Sequence, residues 1–591
     1  MRWTLGVVLP IMLMTIIGFA ADAGVEARRK QLMSALDDEW EYALRTYPEF
    51  ATYVGDSRYN DKLSDHSPEA IERDLKHAQE ALKRIEAIDA AGFPEQEKLN
   101  RQLAMRELRE QIEGIPLKDW EMPVNQMGGI HLSYASMPSQ LPFRTVKDYE
   151  DYLARLHQIP RAFDQTITVM RLGMKDHMMP PRYVLEKVAT QAEDVAGKPP
   201  EASPFLQPVL KFPSGISEAE QKRLRDAVLA SVKNEVGPAY AKLAKFVRAE
   251  YAPKGRTDYG VWALPNGDLI YRFKVRQMTT TDLAPDEIHR LGLKQVEEIE
   301  AEMLKIARQQ GFSDLKSFNA HIRTDRRLYA TSGQQLLDLY QHYTDQMYAK
   351  LPQLFGHLPQ NKLEVVPMEA YRAPDEVPAD YSPGAPASGR PGRINVNEYA
   401  PEKRLLLNAE AIAYHEGIPG HHLQFTVAAE LPALPPFRKY ADFTAYSEGW
   451  AFYSERLAKE AGFYQDPYSE YGRLGNEMWR AVRLVVDTGV HSKRWSRDQM
   501  LDFFRQHTAM DEQNIVTEVD RYIVWPGQAL AYKLGQMKII ELRERARQRL
   551  GDRFDIRAFH DAVLAEGPLP LDVLEKHMDQ WLASQRTSAG Q

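Results

Sequence analysis

The sequence predicts a mostly α-helical protein. Along most of the chain apolar residues recur at helical rather than alternating spacing. The stretches that carry this pattern are bounded by helix-start signals such as Ser67-Pro68-Glu69, a capping serine followed by proline at the first helical position. Pro-rich breaks at Lys198 to Pro213 and Ala373 to Pro391 separate them, and no internal repeat is evident.

The chain opens with Arg2 and an uncharged, mostly apolar run from Trp3 to Ala21, which predicts an export signal. Cleavage after Ala20 or after Ala23 would leave a mature chain that starts at residue 21 or 24, with its folded domain over 24–591. The competing reading is an uncleaved inner-membrane anchor, because the run approaches the ~20 residues that span a bilayer. Pro10 and the small residues at the exit favour cleavage. Either way the body lies beyond the inner membrane, in a bacterial periplasm, and the mature protein is expected to carry no stable membrane span. With no cysteine in the sequence there is no lipid attachment site of the lipoprotein kind.

Helices are predicted over Arg28 to Tyr47, Ser67 to Ile88, Gln96 to Ile112, Val146 to Gly173, Arg182 to Ala196, Glu218 to Glu250, Pro285 to Gln310, Ser332 to Leu354 and Arg497 to His507. Most read as core-facing amphipathic helices without chemistry. A strand pair is predicted at Tyr259 to Phe273, with Pro265-Asn266-Gly267-Asp268 as its turn. A further strand is predicted at Arg390 to Asn397, where polar and apolar residues alternate. That strand either packs on the helix that follows or binds substrate backbone by strand addition, with Arg390, Asn395 and Asn397 as substrate-side candidates. Arg390 and Arg393 read more simply as solvated surface charges.

Composition narrows the function. The 591 residues are 43% hydrophobic and 27% charged, ordinary for a soluble globular protein large enough for several domains. Lys+Arg 75 against Asp+Glu 83 gives a net charge of −8 and no basic excess for nucleic acid. Zero cysteines remove disulfides, thiol nucleophiles and thiolate ligands together. A metal here must be held by histidine and carboxylate.

One stretch supplies such ligands: Tyr414-His415-Glu416-Gly417-Ile418-Pro419-Gly420-His421-His422-Leu423-Gln424. The zinc-hydrolase pattern His-Glu-x-x-His puts two imidazoles on one helical face with a glutamate between them to act as general base. This chain has two extra residues. On an unbroken helix His421 lies about 120° from the His415 face, and His422 returns to it about 10 Å farther along, so neither pairs with His415. Pro419, which has no N–H for the His415 carbonyl, predicts a bulge or break that brings His421 to the second ligand position, and His421 is favoured over His422. Glu416 beside the first ligand is the candidate general base. Glu448, at the start of a second helix after the Pro-rich loop Leu431 to Pro436, is the candidate third ligand, with Glu455 on nearly the same face as the fallback. Structural histidines and a salt-bridging glutamate are the plainer alternatives, but they leave the order of these residues unexplained.

Three blocks, His415-Glu416-x-x-Pro419-Gly420-His421-His422-x-Gln424, Ser447-Glu448-Gly449-Trp450-Ala451 and Arg521-Tyr522-x-x-Trp525-Pro526-Gly527-Gln528-Ala529, resemble the signature blocks of the bacterial domain-of-unknown-function family eight-eight-five, usually treated as gluzincin-like zinc metallopeptidases. The resemblance runs from about Arg28 to Leu582. Ser-Glu-Gly-Trp-Ala is also similar to the Asn-Glu-Gly-Phe-Ala block of aminopeptidase-N-like enzymes, whose glutamate binds zinc. Arg521-Tyr522 is similar to a segment of angiotensin-converting-enzyme-like peptidases whose tyrosine stabilises the tetrahedral intermediate. These resemblances imply a zinc metallopeptidase with one Zn2+ held by His415, His421 and Glu448, Glu416 and Tyr522 as catalytic residues, and His422, Arg521 and Tyr532 on the substrate side. His507 reads more simply as an exposed structural histidine than as a second oxyanion donor. Thimet-oligopeptidase-like and converting-enzyme-like architectures imply a single helical domain over 24–591 in two lobes, zincin-like. They further imply a small β-sheet beside the metal helix, the metal site within 390–540, and a central channel for short peptides or oligopeptides. A non-peptide amide or ester hydrolase and a catalytically silent peptide-binding protein are the alternatives. Oligomeric state is not legible.

Overall fold

The computed structural model describes residues 9–368, 373, 376–384, 390–431 and 434–587, with side chains from residue 24 to residue 585. The predicted export signal and both of its cleavage positions therefore fall on residues or side chains outside the described ones. Among the described residues no helix is long and apolar enough to cross a membrane.

The fold is mostly helical, as the periodicity predicts. Helices cover Pro68–Glu86, Glu95–Gly114, Arg182–Ala196 and Arg497–His507. Ser67 caps the first of these by accepting from the Ala70 N–H. The span predicted from Val146 to Gly173 is two helices, Val146–Leu156 and Ile159–Asp176. Pro160 is the reason: its missing N–H costs nothing in the first turn of a new helix and would cost a bond inside a continuous one. The predicted Glu218 to Glu250 helix is likewise interrupted by wider turns at Val232–Val236 and Val247–Tyr251, the first just ahead of Pro238.

The chain forms two compact units, Met1–Thr257 and Asp258–Gln591. The first is all helical around an aromatic core. Phe163 and Tyr240 meet edge to face at 4.8 Å, and the buried hydroxyls of Tyr152 and Tyr240 each donate to a main-chain carbonyl at 2.7 Å, Phe205 and His131 respectively.

The second unit contains α1 (Pro285–Gln309), α2 (Gly333–Leu354), α3 (Ala409–Glu416), α4 (His421–Glu430), α5 (Thr444–Glu460), α6 (Pro467–Ser492), α7 (Glu512–Val524) and α8 (Ala531–Leu550). Its sheet has three strands, β1 (Leu363–Pro367), β2 (Ala379–Ser382) and β3 (Gly392–Val396), in the order β1-β3-β2. β3 pairs in parallel with β1, Leu363 opposite Gly392, and antiparallel with β2, Ala379 opposite Val396. Ile394 and Val396 point into a cluster with Leu336 and Tyr340 of α2 and Ala409 and Ala413 of α3, which seats the sheet beside the histidine helix.

Two expectations are corrected. The strand predicted at 390–397 is present but central, with both of its edges paired, so substrate backbone cannot add to it; the edges of the described sheet are β1 and β2. The strand pair predicted at Tyr259 to Phe273 is instead a helical turn at Val261–Ala263 and a helix over Gly267–Thr279. Asn266 does adopt the left-handed φ of 55° that a tight hairpin needs, but its carbonyl accepts from the Ile270 N–H at 2.9 Å and starts a helix. Ile270, Tyr271, Phe273 and Val275 are buried together because this helix is enclosed on several sides, which imitates strand alternation.

Candidate metal centre

The histidine motif is broken rather than bulged. α3 ends at Glu416 and α4 begins at His421. The turn between them is closed by main-chain bonds: Gly417 N–H to Ala413, Gly420 N–H to Tyr414 at 3.0 Å, and His422 N–H to Gly417 at 3.0 Å. Gly420 packs so tightly on the carbonyls of Tyr414 and His415 that a β-carbon there would overlap both. Trp450 of α5 donates its indole N–H to the Pro419 carbonyl at 2.8 Å.

This break converges three side chains. Nε2 of His415 and Nε2 of His421 each lie 3.6 Å from the same Glu448 oxygen, the two imidazoles are 5.0 Å apart and nearly perpendicular, and all three donor atoms fall within 4.8 Å of one another. Ligands held at about 2.1 Å in tetrahedral directions stand roughly 3.4 Å apart, so the donor set fits a zinc ion. His422 points elsewhere. Its Nε2 donates to the Asn361 carbonyl at 3.1 Å and its Nδ1 accepts from the Tyr381 hydroxyl at 3.0 Å. Burial holds this ring neutral, with its pKa pushed down to about 4 despite the Asn361 bond.

The ligands are held from behind. His415 Nδ1 donates to Glu455 at 2.8 Å, which leaves Nε2 facing the cluster, so Glu455 orients a ligand instead of serving as one. Asn476 donates to the other Glu455 oxygen at 3.4 Å. Nδ1 of His421 is buried with no partner among the described residues, an asymmetry between the two imidazoles. α5 is fixed by a backbone-close crossing with α8: a β-carbon on Gly449 would sit 2.5 Å from Gly535 Cα. The Ser-Glu-Gly-Trp-Ala block is thereby accounted for, since Glu448 joins the donors, Gly449 makes the crossing and Trp450 ties down the loop.

The cluster is electrostatically tense. Burial opposes a charge on His415, but the carboxylates of Glu448 and Glu455 outweigh it and raise its pKa to about 10. Burial works in the other sense on Glu448, where the two imidazoles prevail and hold the carboxyl well below its ordinary range. Protons on the imidazoles and a divalent cation satisfy the same demand for positive charge. The Glu416 carboxyl is raised above its usual value, chiefly by burial, against the pull of His415 and His421 and with a push from Glu448 and Asp380.

A second polar group gathers where α6, α7 and α8 meet. Tyr522 is 1% exposed, and its hydroxyl donates to Glu518 while accepting from Arg483 Nε at 2.9 Å and Trp479 Nε1 at 3.1 Å. Its one proton is spent, which removes it as a free oxyanion donor in this arrangement. Tyr532 differs: its hydroxyl accepts from Arg521 at 3.2 Å and Gln528 at 3.4 Å, and among the described residues nothing accepts its own proton.

A family model described as "Bacterial protein of unknown function (DUF885)" matches residues 48–578. The chain belongs to the DUF885 family. No curated protein matches it. Among solved structures, this DUF885 chain is similar to a "putative lipoprotein" from Colwellia psychrerythraea, with a TM-score of 0.89 and 29% identity over 94% of this chain and 100% of that one. A "putative lipoprotein of unknown function" from Shewanella oneidensis shares the fold, with a TM-score of 0.72 and 16% identity over 93% and 98% of the two chains.

The remaining predicted residues of the DUF885 chain have structural employment. The Asn395 amide donates to Asp380 at 2.6 Å and Ser382 at 2.8 Å, bracing β3 to β2. The buried Asn397 amide donates to the carbonyls of Ala373, Glu376 and Val377. Arg390 is exposed and, among the described residues, reaches the Pro383 carbonyl at 3.4 Å, and Arg393 pairs with Glu364. His507 is held by Glu300 at 2.8 Å. Sequence reasoning missed Trp479, Arg480 and Arg483, although arginines inside the otherwise apolar run Met478 to Val486 were a visible signal.

Proposed function

We propose that this chain is an exported zinc-dependent metallopeptidase that hydrolyses peptides or oligopeptides. The observation that carries the reading is the convergence of His415, His421 and Glu448 donor atoms within 4.8 Å, with Glu416 next to the first ligand. A zinc ion bound there supplies Lewis-acid activation of water and of the scissile carbonyl. Glu416, whose burial raises its affinity for a proton, takes the proton of the attacking water and returns it to the leaving amine. Tyr532 carries the uncommitted hydroxyl proton and donates it to the developing oxyanion, while Tyr522 positions Arg483 and Glu518. Substrate backbone in extended form adds to β2, the sheet edge whose Tyr381 packs against both His421 and His422. Export rests on the apolar leader and on the lipoprotein names of the structural relatives.

The test is incubation of zinc-loaded wild type and Glu416→Gln with a mixed peptide library, read by mass spectrometry. New termini with wild type, reduced at least ~10³-fold in the variant, support the peptidase reading. Intact peptides with zinc present redirect it to a non-peptide amide or ester.

A further inference from the structure

Helix α6 carries Trp479-Arg480-Ala481-Val482-Arg483 through the interior of the second unit, where the arginines outnumber the carboxylates in direct contact with them. Arg483 is 2% exposed and pairs with Glu518 at 3.0 Å. Arg521 approaches the same carboxylate at 3.5 Å, so one glutamate serves two guanidinium groups. Arg480 has no directly contacting carboxylate among the described residues, and Glu455 and Glu448 act on it only from farther away. It is 8% exposed, and its Nε and Nη1 are buried without a hydrogen-bond acceptor. Its Cζ is surrounded by aromatic rings, 4.3 Å from Trp479, 5.5 Å from Phe452 and 5.9 Å from Tyr532. Ring faces offset part of the cost of burying a cation, but they do not accept its N–H bonds.

Its location gives the vacancy a purpose. Phe452 lies four residues along α5, about 6 Å along the axis, from the metal-facing Glu448. Tyr532, whose ring also stacks with Arg483 at 4.4 Å, carries the uncommitted hydroxyl proton. Trp479, Arg521 and Gln528 are only partly buried, so the group opens to solvent on that side. A planar carboxylate arriving there meets guanidinium N–H donors that lack an acceptor among the described residues.

We infer that Arg480, with Arg483 and Arg521 flanking Tyr532, forms the subsite for a substrate carboxylate, either the C-terminal carboxylate or an acidic side chain of a peptide bound across the His415, His421 and Glu448 cluster. The inference rests on the peptidase reading and makes the enzyme selective for acidic or free-ended short peptides.

Binding tests it without turnover. Zinc-loaded Glu416→Gln protein is titrated in a calorimeter with three peptides of one sequence: a free acid, its C-terminal amide, and the amide with a glutamate at the penultimate position. One of the two carboxylate peptides binds at least ~10-fold tighter than the neutral amide, and which one it is identifies the carboxylate recognised. Adding Arg480→Leu narrows that ratio to below about twofold, and Arg480→Lys retains part of it. Zinc content and circular dichroism check the fold, and Arg480→Lys is read alone if the leucine variant does not fold. Equal affinity for all three peptides, no binding of any, or a preference that survives Arg480→Leu overturns the inference. Cleavage of acid and amide at equal kcat/KM also overturns it while leaving the peptidase reading intact.

Discussion

Trp450 Nε1 and the Pro419 carbonyl are joined by a 2.8 Å hydrogen bond, which ties the helix bearing Glu448 to the loop that separates His415 from His421. Ligand spacing across two elements is thus set by one direct contact. Trp450→Phe keeps most of the buried ring and leaves the carbonyl unsatisfied, at a cost of about 1–3 kcal/mol. Zinc affinity falls ~10-fold because the loop loses its anchor. Chelator competition and thermal unfolding on the same samples check both effects.

Glu455→Gln replaces a charged acceptor for His415 Nδ1 with a neutral one of the same shape. The second carboxylate is expected to matter through orientation, lowering zinc affinity ~10–100-fold with the three ligands intact. Unchanged affinity in a competition titration would show that His415 is held adequately without it.

Gly535→Ala tests the α5–α8 crossing, because the added methyl meets the Ala445 carbonyl and Gly449 Cα. Backbone on both sides leaves little room to give, and destabilisation of about 2 kcal/mol or more follows, read as a drop in denaturant midpoint.

The two tyrosines separate by kinetics. Tyr532→Phe lowers kcat ~10²-fold with a small change in KM, as loss of an oxyanion donor does. Tyr522→Phe removes a bond to Glu518 and acts mainly on stability, by about 1–2 kcal/mol. The reverse pattern would return the oxyanion role to Tyr522.

His560 supplies a pH dependence remote from the metal. Burial outweighs its bond to the Leu354 carbonyl and lowers its pKa to about 3, and Nε2 accepts from the Tyr453 hydroxyl at 2.7 Å. The folded ring stays neutral where the unfolded one protonates. Its contribution is therefore complete above about pH 6.5 and is lost as pH falls from there toward 3, on the order of 4 kcal/mol in all. Denaturant unfolding between pH 7 and 4 should show a shallower slope in His560→Gln than in wild type.

Helices were legible at Ser67 and Arg182, where a cap or a proline marked their starts. Pro160 was visible as well, but its role as a first-turn residue depends on the chain direction that tertiary packing imposes. The error at Tyr259 to Phe273 has the same origin, since burial on several sides erased the helical period. In the metal motif, Pro419 announced a break, and the break explains why His421 and not His422 stands beside His415. Glu455 was visible as a carboxylate on the Glu448 face, but its service to Nδ1 depends on the angle between α3 and α5. The commitment of the Tyr522 proton to Glu518 depends on a contact one helical turn away and on Arg483 from another helix.

The most direct test of the account is zinc content by mass spectrometry for wild type, His421→Gln and His422→Gln purified alike. The account predicts about one zinc per chain in wild type and His422→Gln, and well below that in His421→Gln. No zinc in wild type after metal is added back, or loss confined to His422→Gln, would contradict it.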